Sequence, residues 1–543
     1  MRFKFPKLVL VLILFLALFL RFVNISQYPM YGDELTLAYD GYSILKTGFD
    51  QTGAYLPFTF KMAGGHPPAY VYFSIPFIAI FGPTEIGIRL LSVISGVGIV
   101  LLIYLIGRKF VNEKAGLFAA GLAALSPWDI HLSRIGFETH FALFLTTLGA
   151  YLFIKAKEKP ILLVLSALSF GIGIHTYSTY KMTVPILILV LLWFVGLNRV
   201  WVTKERFKYT LSAGVLILFS FGLILTQALF SNAETRFLQI NVFNQPEIKN
   251  QVAQKVNIER TFTDVPFNFS ELFHNKVLEF MYLIKSNYLE HFSMEFLFLK
   301  GDGNPRHNGA GLGELYIIEA IFLFLGVIYL SKTNFRVLKF LILWLLIAPI
   351  PTSLISGPHA LRSSLMLSPL ILLSGVGFYS LWEVLKVRKL MWLKGVVLVI
   401  LLFEFIIFAE RHYFISANLY NKFFSYSARA ASEYAVMNKN NFDYILISDK
   451  IDSLEIGYPV YAKSDPQTVI SENRRRSGLN GINFKKIENV YIGFINPFEI
   501  ESFSKTLGGK VLYLGPGEDI NTIKDFEVIN APDNSAAVVI KRY

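Results

Sequence analysis

Two adjacent carboxylates, Asp33 and Glu34, stand in the stretch YPMYGDELTLAYDGYSILKTG, just after the first long apolar run. A carboxylate among aromatic residues near a bilayer is costly unless it is paired or used. One that is used can take a proton from a hydroxyl. The residues that follow are helix-forming, and neighbours in sequence do not share a helix face. One carboxylate can therefore enter a cavity while the other pairs elsewhere. Acidic residues also suit the start of a helix for purely structural reasons. Further along, Lys61 and His66 of the GGHPP stretch offer a cation and an imidazole to an anionic group. The prolines there also stiffen the chain whatever its function.

The segment SPWDIHLSRIGFETH gathers Asp129, His131, Arg134, Glu138 and His140. On a continuous helix Arg134 and Glu138 are four apart and can pair. His131 and Glu138 are seven apart and would share a face, where an imidazole and a carboxylate can help hold a divalent ion. The loop KGDGNPRHNGAGLGELY places Asp302, Arg306 and His307 among glycines, which let the backbone approach a ligand closely. In PIPTSLISGPHALRSS, His359 and Arg362 are three apart, and Arg362 is the only Lys or Arg of the segment. A guanidinium fork suits phosphate; the plain alternative is an anchor at the membrane surface. The absence of cysteine excludes a disulfide framework, a thiolate metal site and a cysteine nucleophile. No phosphate-binding P-loop and no GxGxxG after a strand is present, which argues against direct use of a cytoplasmic nucleotide.

The elements that must position these residues are membrane helices. The chain has 543 residues, 54% hydrophobic and only 17% charged, against about 25% charged in a soluble domain. Its mean hydropathy is +0.49. An ordinary soluble enzyme, a disordered chain and a fibrous repeat are excluded. Apolar runs at 8–25, 84–107, 115–130, 138–154, 160–176, 184–198, 210–230, 314–331, 336–352, 364–385 and 391–410 predict about eleven transmembrane helices. Basic clusters at Arg2, Lys4 and Lys7, at Arg108, Lys109 and Lys114, at Arg199, Lys204, Arg206 and Lys208, and at Lys386, Arg388, Lys389 and Lys394 alternate with loops poor in Lys and Arg. The positive-inside rule places them in the cytoplasm and accounts for the net charge of +12 without nucleic acid. Residues 67–82 are apolar but short and proline-rich, and read as a dipping or surface-lying outer helix. The N-terminus is then inside, with outer loops at 26–83 and 231–312. Residues 411–543 form an outer soluble domain, where segments 442–448, 490–495, 510–515 and 536–542 read as strands and 425–438 and 498–507 as helices. The fold class is a polytopic α-helical membrane domain, 1–410, followed by an extracytoplasmic α/β domain, 411–543. All nine histidines fall on the predicted outer side or at its boundary.

The acidic pair after the first span, the His-Pro-Pro segment, the SRxxxE stretch, the outer HALR segment and the outer tail together resemble the GT-C membrane glycosyltransferases. The resemblance covers residues 1–410 and is nearest to protein O-mannosyltransferases, lipid A aminoarabinose transferases and bacterial dolichyl-phosphate-mannose-protein mannosyltransferase types. It implies an inverting glycosyltransferase on the outer face of the cytoplasmic membrane. The donor would be a polyprenyl-phosphate sugar and the acceptor a hydroxyl of lipid, glycan or protein. Asp33 matches the family's first-loop acid, with Glu34 beside it, and Glu138 matches the acid of SRxxxE; these three are the expected catalytic residues. Lys61 and Arg362 correspond to donor-phosphate contacts, with His66, Arg134, Arg306, His307 and His359 as further substrate-binding candidates. No cofactor is required, although a divalent metal at His131 and Glu138 is admitted. The alternative from another class is a flippase or transporter of lipid-linked sugars, or a non-catalytic glycan-binding membrane subunit. A transporter would show broken polar helices near the midplane in matching halves, whereas here the polar residues gather at one face.

Overall fold

The computed structural model describes residues 5–62, 65–196, 204–230 and 241–543. Arg2, Lys4 and Arg199 of the basic clusters, and part of the second outer loop, lie outside the described residues. The chain divides into two compact units: 1–21, 94–133 and 138–408 form the first, and 22–93, 134–137 and 409–543 the second. The first unit ends at Phe408, and the second takes in the whole stretch 26–83 read as the first outer loop.

The first unit is helical. Its apolar runs fold as α1 (Phe5–Phe22), α4 (Glu85–Phe110), α5 (Glu113–Leu125), α6 (Pro127–Ser133), α7 (Glu138–Lys155), α8 (Ile161–Ile174) and α9 (Tyr180–Val195), with further helices at Lys204–Phe230, Glu319–Thr333, Phe335–Ile347, Leu367–Val387 and Met391–Glu410. The ends of α1 and α4 belong to the second unit. Five described segments are long and apolar enough to cross a membrane: Glu85–Phe110, Arg206–Thr226, Phe335–Ser353, Ser364–Val387 and Met391–Leu419. The pair α6 and α7 makes a sixth if counted as one bent span. Small residues let these helices touch. Gly326 and Gly377 face each other between Glu319–Thr333 and Leu367–Val387, and a Cβ on Gly377 would lie 1.8 Å from Phe322 O. That is the close backbone packing by which helices associate where the hydrophobic effect is weak. The second outer loop contains helices Pro246–Phe262, Phe267–Phe273 and Lys276–Glu290.

In the second unit, α2 (Gly32–Thr47) and α3 (Ala69–Phe81) accompany a seven-stranded mixed sheet. At 13 residues, α3 is about 20 Å long, short of a bilayer core of about 30 Å. The strands are β1 (Tyr444–Ser448), β2 (Ser477–Leu479), β3 (Ile482–Ile487), β4 (Val490–Gly493), β5 (Val511–Pro516), β6 (Glu527–Asn530) and β7 (Ala536–Arg542), in the order β2-β3-β4-β1-β5-β7-β6. β1 runs parallel to β4 and β5, and the outer pairings are antiparallel. The central strands YILIS and VLYLGP are apolar almost throughout, as strands covered on both faces must be. The tail holds the first loop by its backbone. Asn473 Nδ2 donates to Gln51 O at 2.9 Å, Arg474 Nη2 to Gly53 O at 2.9 Å, and Tyr39 Oη to Ser464 O at 2.9 Å.

Candidate active site and its charged centres

The start of α2 separates the two acidic neighbours. Glu34 is fully buried and grips Arg89, also fully buried: Nε donates to Oε1 at 2.7 Å and Nη2 to Oε2 at 2.6 Å. Arg89 gives its remaining donors to the carbonyls of Ile25 at 2.7 Å, Tyr28 at 2.8 Å and Pro29 at 3.1 Å. The Gly136 amide adds a bond to Glu34 Oε1 at 2.6 Å. Asp33 is half-exposed and, among the described residues, takes no hydrogen bond. Arg89 was missed in the sequence, although a lone charge inside an apolar run is itself a sign of a buried partner.

The helix on which His131, Arg134 and Glu138 were expected to share a face is broken. α6 ends at Ser133, α7 begins at Glu138, and the two meet at 117°. The seven-residue spacing therefore no longer aligns His131 with Glu138, and the metal reading built on it loses its geometry. The cause is local. Phe137 N closes a tight turn on Ile135 O at 2.7 Å, and Gly136 comes so close to Glu34 that a Cβ would lie 3.0 Å from Oε1. Arg134, buried, donates to the carbonyls of Val23 and Asn24 and stands over the Tyr413 ring at 4.6 Å. Burial lowers its affinity for the proton, with Tyr413 and Tyr28 opposing that shift. Glu138, half-buried, opens α7, and the next residue pins that end: Thr139 Oγ1 donates to Leu361 O at 2.8 Å.

Lys61 is exposed, whereas His66 is buried and pairs its backbone with Phe60. Within electrostatic reach of His66 lies a carboxylate that the sequence did not single out. Asp40, 1% exposed, accepts from Gln51 N at 3.0 Å. Burial pushes its pKa up to about 7 against that hydrogen bond, and the Asp50 charge adds to the rise.

In the first unit the loops 300–316 and 354–363 converge with α6. His131 Nε2 bonds Arg306 O at 2.8 Å, and Trp128 Nε1 donates to Ala360 O at 3.2 Å. Asp302 Oδ2 meets His307 Nδ1 at 2.9 Å and His359 Nδ1 at 3.7 Å. Burial opposes the Asp302 charge, but the His307 hydrogen bond and the imidazole charges outweigh it, so the carboxyl sits below its usual range. Burial drives His359 the other way, towards the neutral form, and the nearby His307 and Arg362 charges reinforce this. Arg362 is half-buried and its Nη1 donates to Ser356 Oγ at 3.3 Å. Arg306 is half-buried on the same turn as His307. A second missed ion group lies deeper in this unit: Asp129 joins Arg21 at 2.5 Å and His140 at 2.7 Å, all three fully buried.

Residues 65–224 match the family described as dolichyl-phosphate-mannose-protein mannosyltransferase. The chain shares its fold with ArnT from Cupriavidus metallidurans. The apo structure is 14% identical, with 98% of this chain and 97% of that chain covered and a TM-score of 0.53. The structure bound to undecaprenyl phosphate is 15% identical, with the same coverage and a TM-score of 0.52. It also resembles the Archaeoglobus fulgidus oligosaccharyltransferase in complex with Zn and sulfate, at 13% identity, 94% and 68% coverage and a TM-score of 0.50. No curated protein matches the chain. The fold is the GT-C-type membrane fold that the sequence resemblance implied. The family model spans 160 of the 543 residues, and the structural likeness extends over nearly the whole chain.

Proposed function

We propose that the chain transfers a sugar from a polyprenyl-phosphate donor to a hydroxyl acceptor, with inversion, on the outer face of the cytoplasmic membrane. The observation that carries this reading is the divergence of Asp33 and Glu34. Glu34 is locked to Arg89 and fixes the first turn of α2, which leaves the next-door Asp33 half-exposed with no hydrogen bond among the described residues. The lipid-phosphate donor is supported by the fold shared with ArnT, which binds undecaprenyl phosphate.

On this proposal Asp33 accepts the acceptor's hydroxyl proton as that oxygen attacks the anomeric carbon opposite the phosphate. The carbon–oxygen bond to phosphate breaks through an oxocarbenium-like transition state. Charge grows on the departing lipid phosphate, where a positioned cation lowers the barrier. Lys61, exposed, and Arg362, half-buried, are the cations proposed for the phosphate, and Glu138 is proposed as a second acid of the reaction. The eleven-span topology, with the N-terminus inside and the tail outside, belongs to the same proposal. So does an acceptor-side role for the tail.

The test is transfer in lipid nanodiscs, with a panel of radiolabelled polyprenyl-phosphate sugars, membrane extract as acceptor source, and arms with and without EDTA. Asp33→Asn should lower turnover by about 10²–10⁴-fold, the usual range for a general base, while donor binding persists. Specific donor binding by the wild type without transfer of any sugar would favour a flippase or a non-catalytic subunit instead.

A further inference from the structure

His307 and His359 come from different loops, yet their rings stack with centroids 4.4 Å apart and planes 25° from parallel. Both turn Nδ1 to one oxygen, Asp302 Oδ2, which already accepts the Ala360 amide at 2.8 Å. Among the described residues this is the group of His and carboxylate side chains whose ligand atoms all fall within 4.8 Å of one another. A hydrogen bond to His307 explains the 2.9 Å contact; His359 Nδ1 accepts from Arg362 N at a long 3.4 Å, and that weak bond does not require it to lie 3.7 Å from the same Asp302 oxygen.

A cation explains both. Zinc bonds of about 2.0–2.2 Å in tetrahedral geometry hold ligand atoms about 3.3–3.5 Å apart. The observed 2.9 and 3.7 Å bracket that spacing. Two imidazoles with one carboxylate favour zinc-type ions over magnesium or calcium, which prefer oxygen. The surroundings are those of a supported ligand set. Asp302 Oδ1 accepts from Asn304 N at 2.9 Å, and Asp302 N donates to the buried Glu314 at 2.9 Å. The histidine side chains are 15% and 17% exposed against 7% for Asp302, which leaves one side of the group open.

We propose that Asp302, His307 and His359 form a zinc-type divalent metal site, with a fourth position open to solvent, that staples the glycine-rich loop to the segment preceding Leu367–Val387. The ion would replace the proton shared by Asp302 and His307, and both imidazoles would ligate through Nδ1.

The test uses the full chain in nanodiscs without a histidine tag, stripped with chelator, reloaded with zinc sulfate and dialysed. Elemental analysis should find one zinc per chain. His307→Ala, His359→Ala and Asp302→Asn should each weaken zinc binding by more than the 10–100-fold that loss of an outer-shell partner costs. His274→Ala, which removes a histidine bonded to Glu259, should keep the zinc. Zinc should raise the melting temperature of the wild type and leave that of the three ligand variants unchanged. Cobalt(II) provides a reading that needs no variant: the wild type should give the intense visible absorption of a four-coordinate ion. Zinc content unchanged in the three ligand variants, or only the pale six-coordinate cobalt spectrum in the wild type, would overturn the site.

Discussion

Glu34 with Arg89 and Asp302 with its two histidines are both buried or half-buried charged groups close to loops, yet they are built oppositely. All five N–H donors of Arg89 are used, two on Glu34 and three on backbone carbonyls. Nothing about that centre invites a ligand, and its work is to hold the first turn of α2 to α4. Around Asp302 two imidazole nitrogens converge on one oxygen, at 2.9 and 3.7 Å, and the histidines reach solvent. Saturation marks a fastener, and convergence with an open side marks a binding group. The same distinction separates Asp33 from Glu34, adjacent in sequence and different in chemistry.

The largest effect should come from breaking the saturated centre. Glu34→Gln leaves Arg89 buried without its counter-charge and should cost about 3–5 kcal/mol, read as a fall in melting temperature in nanodiscs. Replacing both partners by methionine should restore much of that loss, since it is the unpaired charge that is expensive. If Glu34→Gln melts like the wild type, the pair is no fastener.

Asp40 sharpens the contrast through pH. The native carboxyl keeps its proton up to about pH 7, whereas the unfolded chain releases it near pH 4. Between those values the native state binds more protons, so stability falls as pH rises and levels off above about pH 7. The fall should be at most about 4 kcal/mol. Melting curves of Asp40→Asn across the same window should be flatter than those of the wild type.

Gly136→Ala probes how tightly the fastener is packed. Its Cβ would crowd Glu34 at 3.0 and 3.2 Å, which should cost about 1–3 kcal/mol and disturb the turn between α6 and α7. The smallest effect belongs to an ion pair that is neither saturated by burial nor convergent. Arg476 holds Glu455 at 2.8 Å on the tail surface, with both side chains over one-third exposed. Arg476→Ala should change stability by less than about 1 kcal/mol, and added salt should mask the difference.

The sequence made the helices legible because each apolar run had nothing else to become. The tail's central strands were equally clear: 442–448 starts two residues before β1 and ends with it, and 510–515 is one residue out of step with β5. The short strands β2 and β6 carry too little hydrophobic pattern to announce themselves. The candidate site was half legible. Asp33, Glu34, His307 and His359 stand out by type and setting. The Glu34 partner Arg89 and the Asp129 partner Arg21 are fixed by contacts between distant segments, which no local spacing encodes. The break at 134–137 escaped for the same reason, because Gly136 bends the chain to reach a carboxylate 102 residues away.

The most direct test of the account is to compare Asp33→Asn with Glu34→Gln side by side, measuring transfer and melting temperature on the same nanodisc preparations. Asp33→Asn should melt within a degree or so of the wild type and lose transfer, while Glu34→Gln should lose stability first. Wild-type transfer by Asp33→Asn would contradict the assignment of the catalytic base and, with it, the division of labour between the two neighbours.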